Sequence, residues 1–241
     1  MRSRFFVGII ALSGLLIAGC GSPEERSAAY LTKAQTLYDA EDYTAARIEA
    51  MNAAQIEPRN ADVRYLLAEI EEKGQDFRKA IGHLQVAVDA DETHLRSRIK
   101  LGNYYVMAKA ADEADAQATA AESLAPDNAE VYLLRARVYY LRDDNDAAMA
   151  EIEKALAKNP EMIDATMFKA GIYIARNDPD SALALVDDRL AAESGDHRKK
   201  LQQFRVIMLR AVNRNDEVEA DLKAMVEEYP DDQTIAITLA Q

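Results

Sequence analysis

Residues 95–128 read LRSRIKLGNYYVMAKAADEADAQATAAESLAPDN. Within them Leu101-Gly102 is followed by Tyr105, then Ala114, Ala121 and Pro126. The next stretch offers Tyr132, Ala136, Tyr139, Ala148, Ala155 and Pro160, the same landmarks at a spacing of 34. Working outward, Pro58, Pro126, Pro160 and Pro230 end amphipathic segments and lie 68, 34 and 70 residues apart, so the period is near 34. Small side chains keep phase with it. Ala46, Ala80, Ala114, Ala148 and Ala182 form one column, Ala53, Ala87, Ala121 and Ala155 a second, and Ala34, Ala68, Gly102, Ala136 and Ala170 a third. Two antiparallel helices approach to about 8 Å only where neither presents bulk. Each period therefore predicts a helical hairpin, with Leu67, Leu101, Tyr105, Tyr139 and Tyr173 flanking the small columns.

With these residues in place the chain resembles the tetratricopeptide repeat, a 34-residue helix-turn-helix unit with aromatic, Leu-Gly, Tyr, Ala, Phe and Pro landmarks. The resemblance implies an all-α fold, a right-handed α-solenoid of antiparallel helix hairpins. Six repeats are read at 27–60, 61–94, 95–128, 129–162, 163–198 and 199–232. Departures gather towards the end. Repeat five needs two extra residues near Ser194-Gly195, Arg189 takes a normally small position, and repeat six puts Val206, Val218 and Met225 in the three small columns. Residues 233–241 match the opening of a seventh repeat and are expected to be a short cap or a truncated repeat.

Composition agrees with helix. Nine Gly and six Pro in 241 residues are too few for the turns of a β-sandwich, and 49% hydrophobic residues exclude disorder. Acidic residues outnumber basic ones 42 to 29, for a net charge of −13. Such a surface repels nucleic acid and anionic lipid headgroups.

The first nineteen residues read differently. Met1-Arg2-Ser3-Arg4 is a positive start, Phe5 to Ala18 is almost wholly apolar, and Ile17-Ala18-Gly19 precedes the only cysteine, Cys20. The apolar run is roughly 22 Å long as a helix, against about 30 Å of hydrocarbon, so cleavage fits better than spanning. These residues resemble the bacterial lipoprotein signal, which implies a signal peptide at 1–19 and lipidation of Cys20. Gly21 stands where Asp often marks inner-membrane retention, so the resemblance implies an outer-membrane address facing the periplasm. Residues 20–26 carry the lipidated Cys and the start of the first helix, with Ser22-Pro23-Glu24-Glu25 as its capping box.

Reactive groups are sparse: three histidines, one cysteine and no glycine-rich phosphate loop. His83 reads as a solvated helix residue, and His94 and His197 as surface turn residues. No cofactor, metal site, small-molecule substrate or enzymatic activity is expected. Arg96-Ser97-Arg98-Ile99-Lys100 reads as a charged helix flank.

The family geometry instead implies a groove, with the second, fifth, ninth and twelfth repeat positions pointing into it. The fifth positions are Leu31, Tyr65, Ile99, Leu133 and Met167; the twelfth include Tyr38, Tyr140 and Ile174; between them stand Asn103 and Arg137. An apolar ladder with sparse polar rungs suits a peptide segment, the apolar anchors supplying affinity and the polar rungs register. The expected function is a lipid-anchored periplasmic adaptor binding a segment of an envelope protein. The Ser22-Pro23-Glu24-Glu25 start and the Ala46-Arg47-Ile48 and Leu133-Leu134 repeat style look like tetratricopeptide lipoproteins associated with exosortase (PEP-CTERM) sorting and exopolysaccharide export. The alternative is a pilotin-like lipoprotein assisting a type IV pilus or secretion pore.

Overall fold

The computed structural model describes residues 22–240; Cys20 and the leader before it lie outside the described residues. Among the described residues there are thirteen α-helices and no strand. They form six antiparallel hairpins: α1 (Pro23–Asp39) with α2 (Tyr43–Ile56), α3 (Ala61–Lys73) with α4 (Phe77–Ala90), α5 (Leu95–Met107) with α6 (Ala111–Leu124), α7 (Ala129–Leu141) with α8 (Asn145–Lys158), α9 (Ile163–Ala175) with α10 (Pro179–Ala192), and α11 (Gly195–Ala211) with α12 (Asn215–Glu228). The short α13 (Gln233–Leu239) follows.

The turn inside every hairpin is built alike. Glu41, Gln75, Lys109, Asp143, Asn177 and Asn213 all adopt φ between 56° and 61°, the left-handed region. The next backbone N–H then donates to a carbonyl five residues back, as in Asp42 to Leu37 at 2.9 Å, Ala110 to Tyr105 at 2.9 Å and Arg214 to Leu209 at 2.9 Å. This is a Schellman closure, which satisfies carbonyls the helix end would otherwise orphan. Asp42, Asp76, Asp144 and Asp178 next cap the second helices with their side chains. Ala110 and Arg214, at the same phase, leave α6 and α12 without a side-chain cap.

The small columns are where the paired helices meet. Ala34, Ala46, Ala53, Ala68, Ala80, Ala87 and their equivalents through Ala182 are fully buried. In the sixth hairpin Val206, Val218 and Met225 are also buried, so bulk fills the seam that alanine closes elsewhere. In consequence the backbones of α11 and α12 come close at fewer places than those of α1 and α2 do. The insertion ahead of this hairpin is absorbed at Gly195, whose φ of +57° starts a 17-residue α11. That helix thus begins before residue 199.

Odd-numbered helices contact one another as well as their partners, as α1 does with α3, α3 with α5, α5 with α7 and α9 with α11. The even-numbered helices show no comparable contacts among the described residues. The first helices therefore form the inner, concave layer, and their side chains line whatever site the array offers.

Candidate functional site

The concave layer holds a pocket of about 650 Å³ walled by α3, α5 and α7 and closed by the start of α9. The 34-residue period builds it in rows. Tyr65, Ile99 and Leu133 share one phase and form the apolar floor. Asn103 and Arg137 share another and stand above that floor, where Arg137 Nη1 donates to Asn103 Oδ1 at 2.6 Å. Arg96, Glu130 and Asp164 share a third and form the rim, joined by Glu72 and Lys100, with Tyr104, Met107 and Met162 at the edges.

The rim charges are largely neutralised by one another. Lys100 Nζ lies 2.5 Å from Glu72 and 3.6 Å from Glu69, and Arg96 reaches Glu69 at 4.0 Å. Asp164 is held by Lys200 at 2.6 Å. The Arg96 guanidinium also lies 4.2 Å from the centroid of the Tyr65 ring, a cation–π contact that covers the ring. Burial pushes the Tyr65 phenol up to about 12, the Glu69 charge adds to the rise, and Arg96 opposes it. Arg137 differs from its basic neighbours. Among the described residues no carboxylate lies within 4 Å of it, and its guanidinium packs 6.0 Å from the Phe168 ring. Burial lowers its affinity for the proton from the ordinary guanidinium value, with Asp164 acting in the opposite direction.

The ten groove residues expected from sequence divide into two sets. Tyr65, Ile99, Asn103, Leu133 and Arg137 come together in the pocket. Leu31, Tyr38, Tyr140, Met167 and Ile174 stand outside it. Leu31 and Tyr38 pack on the core of the first repeats, and Met167 and Ile174 on the core of the last. Tyr140 is exposed at 38% with its ring edge against Phe168. Nor does the fifth-position ladder project as an exposed strip: Tyr65, Ile99 and Leu133 keep only 8%, 7% and 3% of their surface. Curvature wedges these side chains between adjacent inner helices and leaves one face of each as floor.

Two histidines correct the sequence expectation. His94 is no surface turn residue. Its Nδ1 meets the Ser97 hydroxyl at 2.7 Å and accepts from the Ser97 backbone N–H as the cap of α5, while Nε2 meets Asp62 at 3.1 Å. His83 is half-buried rather than solvated, its Nδ1 3.2 Å from Arg64 Nη1. Arg96 and Lys100, read from sequence as a helix flank, are pocket walls. The signal for Arg96 was the second-position column, in which one cation stands among the acids Asp62, Glu130 and Asp164. No group of His, Cys, Asp and Glu among the described residues is arranged to hold a metal ion. No described helix is long and apolar enough to cross a membrane.

Models of the tetratricopeptide repeat match residues 31–94 and 99–163, and a further one matches 139–202. No curated protein gives a significant match. Among solved structures, a tetratricopeptide repeat protein from Parabacteroides merdae superposes with a TM-score of 0.74 at 13% identity, covering 89% of this chain and 83% of its own. A thermophilic repeat protein of Thermus thermophilus gives 0.63 at 23% identity, covering 77% of this chain and 98% of its own. PilF of Pseudomonas aeruginosa gives 0.63 at 16% identity, covering 90% and 98%. At these identities the likeness is one of fold. The family models span more than half of the sequence, and with the hairpin stack they establish that this chain belongs to the tetratricopeptide-repeat family, whose arrays act as scaffolds for protein–protein interaction.

Proposed function

We propose that the chain is a non-catalytic adaptor, anchored by lipid at Cys20 and facing the periplasm from the outer membrane, that holds a peptide segment of an envelope protein in its concave pocket. The observation that carries the binding half is the pocket itself, an apolar floor of Tyr65, Ile99 and Leu133 under a polar and charged rim. Apolar floor and polar rim are the anatomy of a peptide-recognition site, in which buried anchors supply affinity and polar groups fix register. The anchoring half rests on the sequence from Met1 to Cys20. The repeat style after Cys20 supports work in exopolysaccharide export or protein sorting.

A photo-crosslinking side chain in place of Met107, which is 73% exposed at the pocket edge, tests the reading in intact envelopes. It should trap an envelope protein through a short segment mapped by mass spectrometry, whereas the same group at the exposed His197 should not. Equal capture from both positions would sink the pocket as the docking site. In parallel, Cys20→Ser should move the protein from the membrane to the soluble fraction, and unchanged partitioning would remove the anchor.

A further inference from the structure

Arg137 is the cation in the pocket that the fold leaves without a carboxylate. Arg96 and Lys100 engage Glu69 and Glu72. Asp164, the acid whose charge acts on Arg137, is bound to Lys200. A guanidinium carries five donors, and one of them is used, on the neutral Oδ1 of Asn103. Its other nitrogens are not sealed off, since the buried side-chain nitrogens lacking partners are those of Arg135 and Arg189. Asn103 spends its acceptor on Arg137 and keeps its amide donors. Removing a charge from water without pairing it is costly.

We infer that Asn103 and Arg137 form a receptor for one acidic side chain of the docked segment. This rests on the reading of the pocket as a peptide site and adds the chemistry of its occupant. The carboxylate accepts two bonds from the guanidinium edge and one from the Asn103 amide, while apolar residues beside it cover Ile99 and Leu133. The surroundings limit the charge to a single acid. Glu130, Asp164 and Glu72 ring the same pocket, and the chain carries −13 overall. A polyanion such as an acidic polysaccharide is repelled by Glu130 and by the net negative charge of the chain, whereas one carboxylate in an apolar segment is seated on Arg137.

The test uses the whole chain in mild detergent and a bead library of random peptides of about twelve residues, acetylated at one end and attached through the other. Every acid selected is then a side chain. The wild type should select peptides with one Asp or Glu among apolar residues. Changing that acid to its amide should weaken binding roughly tenfold or more, as expected for a charge-assisted pair. Arg137→Met should lose the same factor and no longer distinguish acid from amide. The melting temperature of Arg137→Met should hold or rise, because an unpaired desolvated charge has been removed. A marked fall would reveal a structural role and overturn the assignment. Selected peptides without an acid, or equal binding of the acidic peptide by Arg137→Met, overturn the inference and leave the peptide site standing. Failure to select any peptide overturns both.

Discussion

His83 shows how a residue with ordinary chemistry acquires a property from its surroundings. Its ring is held down to about 4, first by burial and then by the positive charges of Arg64, Arg47 and Lys79. Arg47 is itself held 2.6 Å from the buried Glu71, so the ring faces an already paired cluster. A folded-state value below the ordinary 6.5 means that the neutral ring is preferred in the native state. Its contribution is therefore complete above about pH 6.5 and is lost as pH falls towards 4. Allowing for the water that reaches the half-buried ring, that loss should be about 1–2 kcal/mol. Comparing the wild type with His83→Gln between pH 7 and pH 4 by chemical denaturation checks it, and a constant difference would refute the shift. The sequence showed a histidine with no ligand partner nearby; Lys79 lies one turn away on α4, but Arg47 and Arg64 come from α2 and α3 and meet the ring only in the folded stack. The left-handed turn residues were hidden for a related reason. Asn177 and Asn213 hint at positive φ, but Glu41, Gln75 and Lys109 have no such preference and are held there by the Schellman closure.

Among helices, the clearest contrast is between two glycines on the inner layer. A Cβ on Gly102 would come 2.7 Å from Leu134 Cδ2 and 3.3 Å from Gln117 Cβ, because α5 meets α6 and α7 there. Gly171, on α9, has nothing within 4 Å of the same atom. Alanine in a helix gains about 1 kcal/mol over glycine, and overpacking costs about 1–3 kcal/mol. Gly171→Ala should thus raise the thermal unfolding midpoint by the equivalent of about 1 kcal/mol, and Gly102→Ala should lower it by a similar amount. A rise for both would show that Leu134 moves aside. Sequence placed Gly102 in the small column and so found its tight contact, whereas Gly171, one phase away from that column, carries no packing demand. The sixth hairpin extends the point. Its bulky columns and the insertion before it were legible as departures; the structure fills the seam with Val206, Val218 and Met225 and takes up the insertion in a longer α11.

Across the whole molecule, stability passes from hairpin to hairpin, since each contacts chiefly its neighbours. The end with the sparser α11–α12 seam and the seven-residue α13 should open first. Hydrogen exchange should find amides of α12 and α13 exchanging before those of α3 to α8, and uniform protection would contradict a loosely coupled stack. The period, the hairpins, the buried alanine columns and the acidic surface were determined by the sequence alone, because each rests on the type and spacing of residues within one chain segment. The tertiary structure decided which ladder residues become floor and which cations find partners. Those outcomes depend on how curvature brings residues 34 positions apart onto one surface, as it does for Asn103 and Arg137. A linear pattern names the candidates for such a surface, but desolvation and charge pairing arise only when neighbouring repeats close around them.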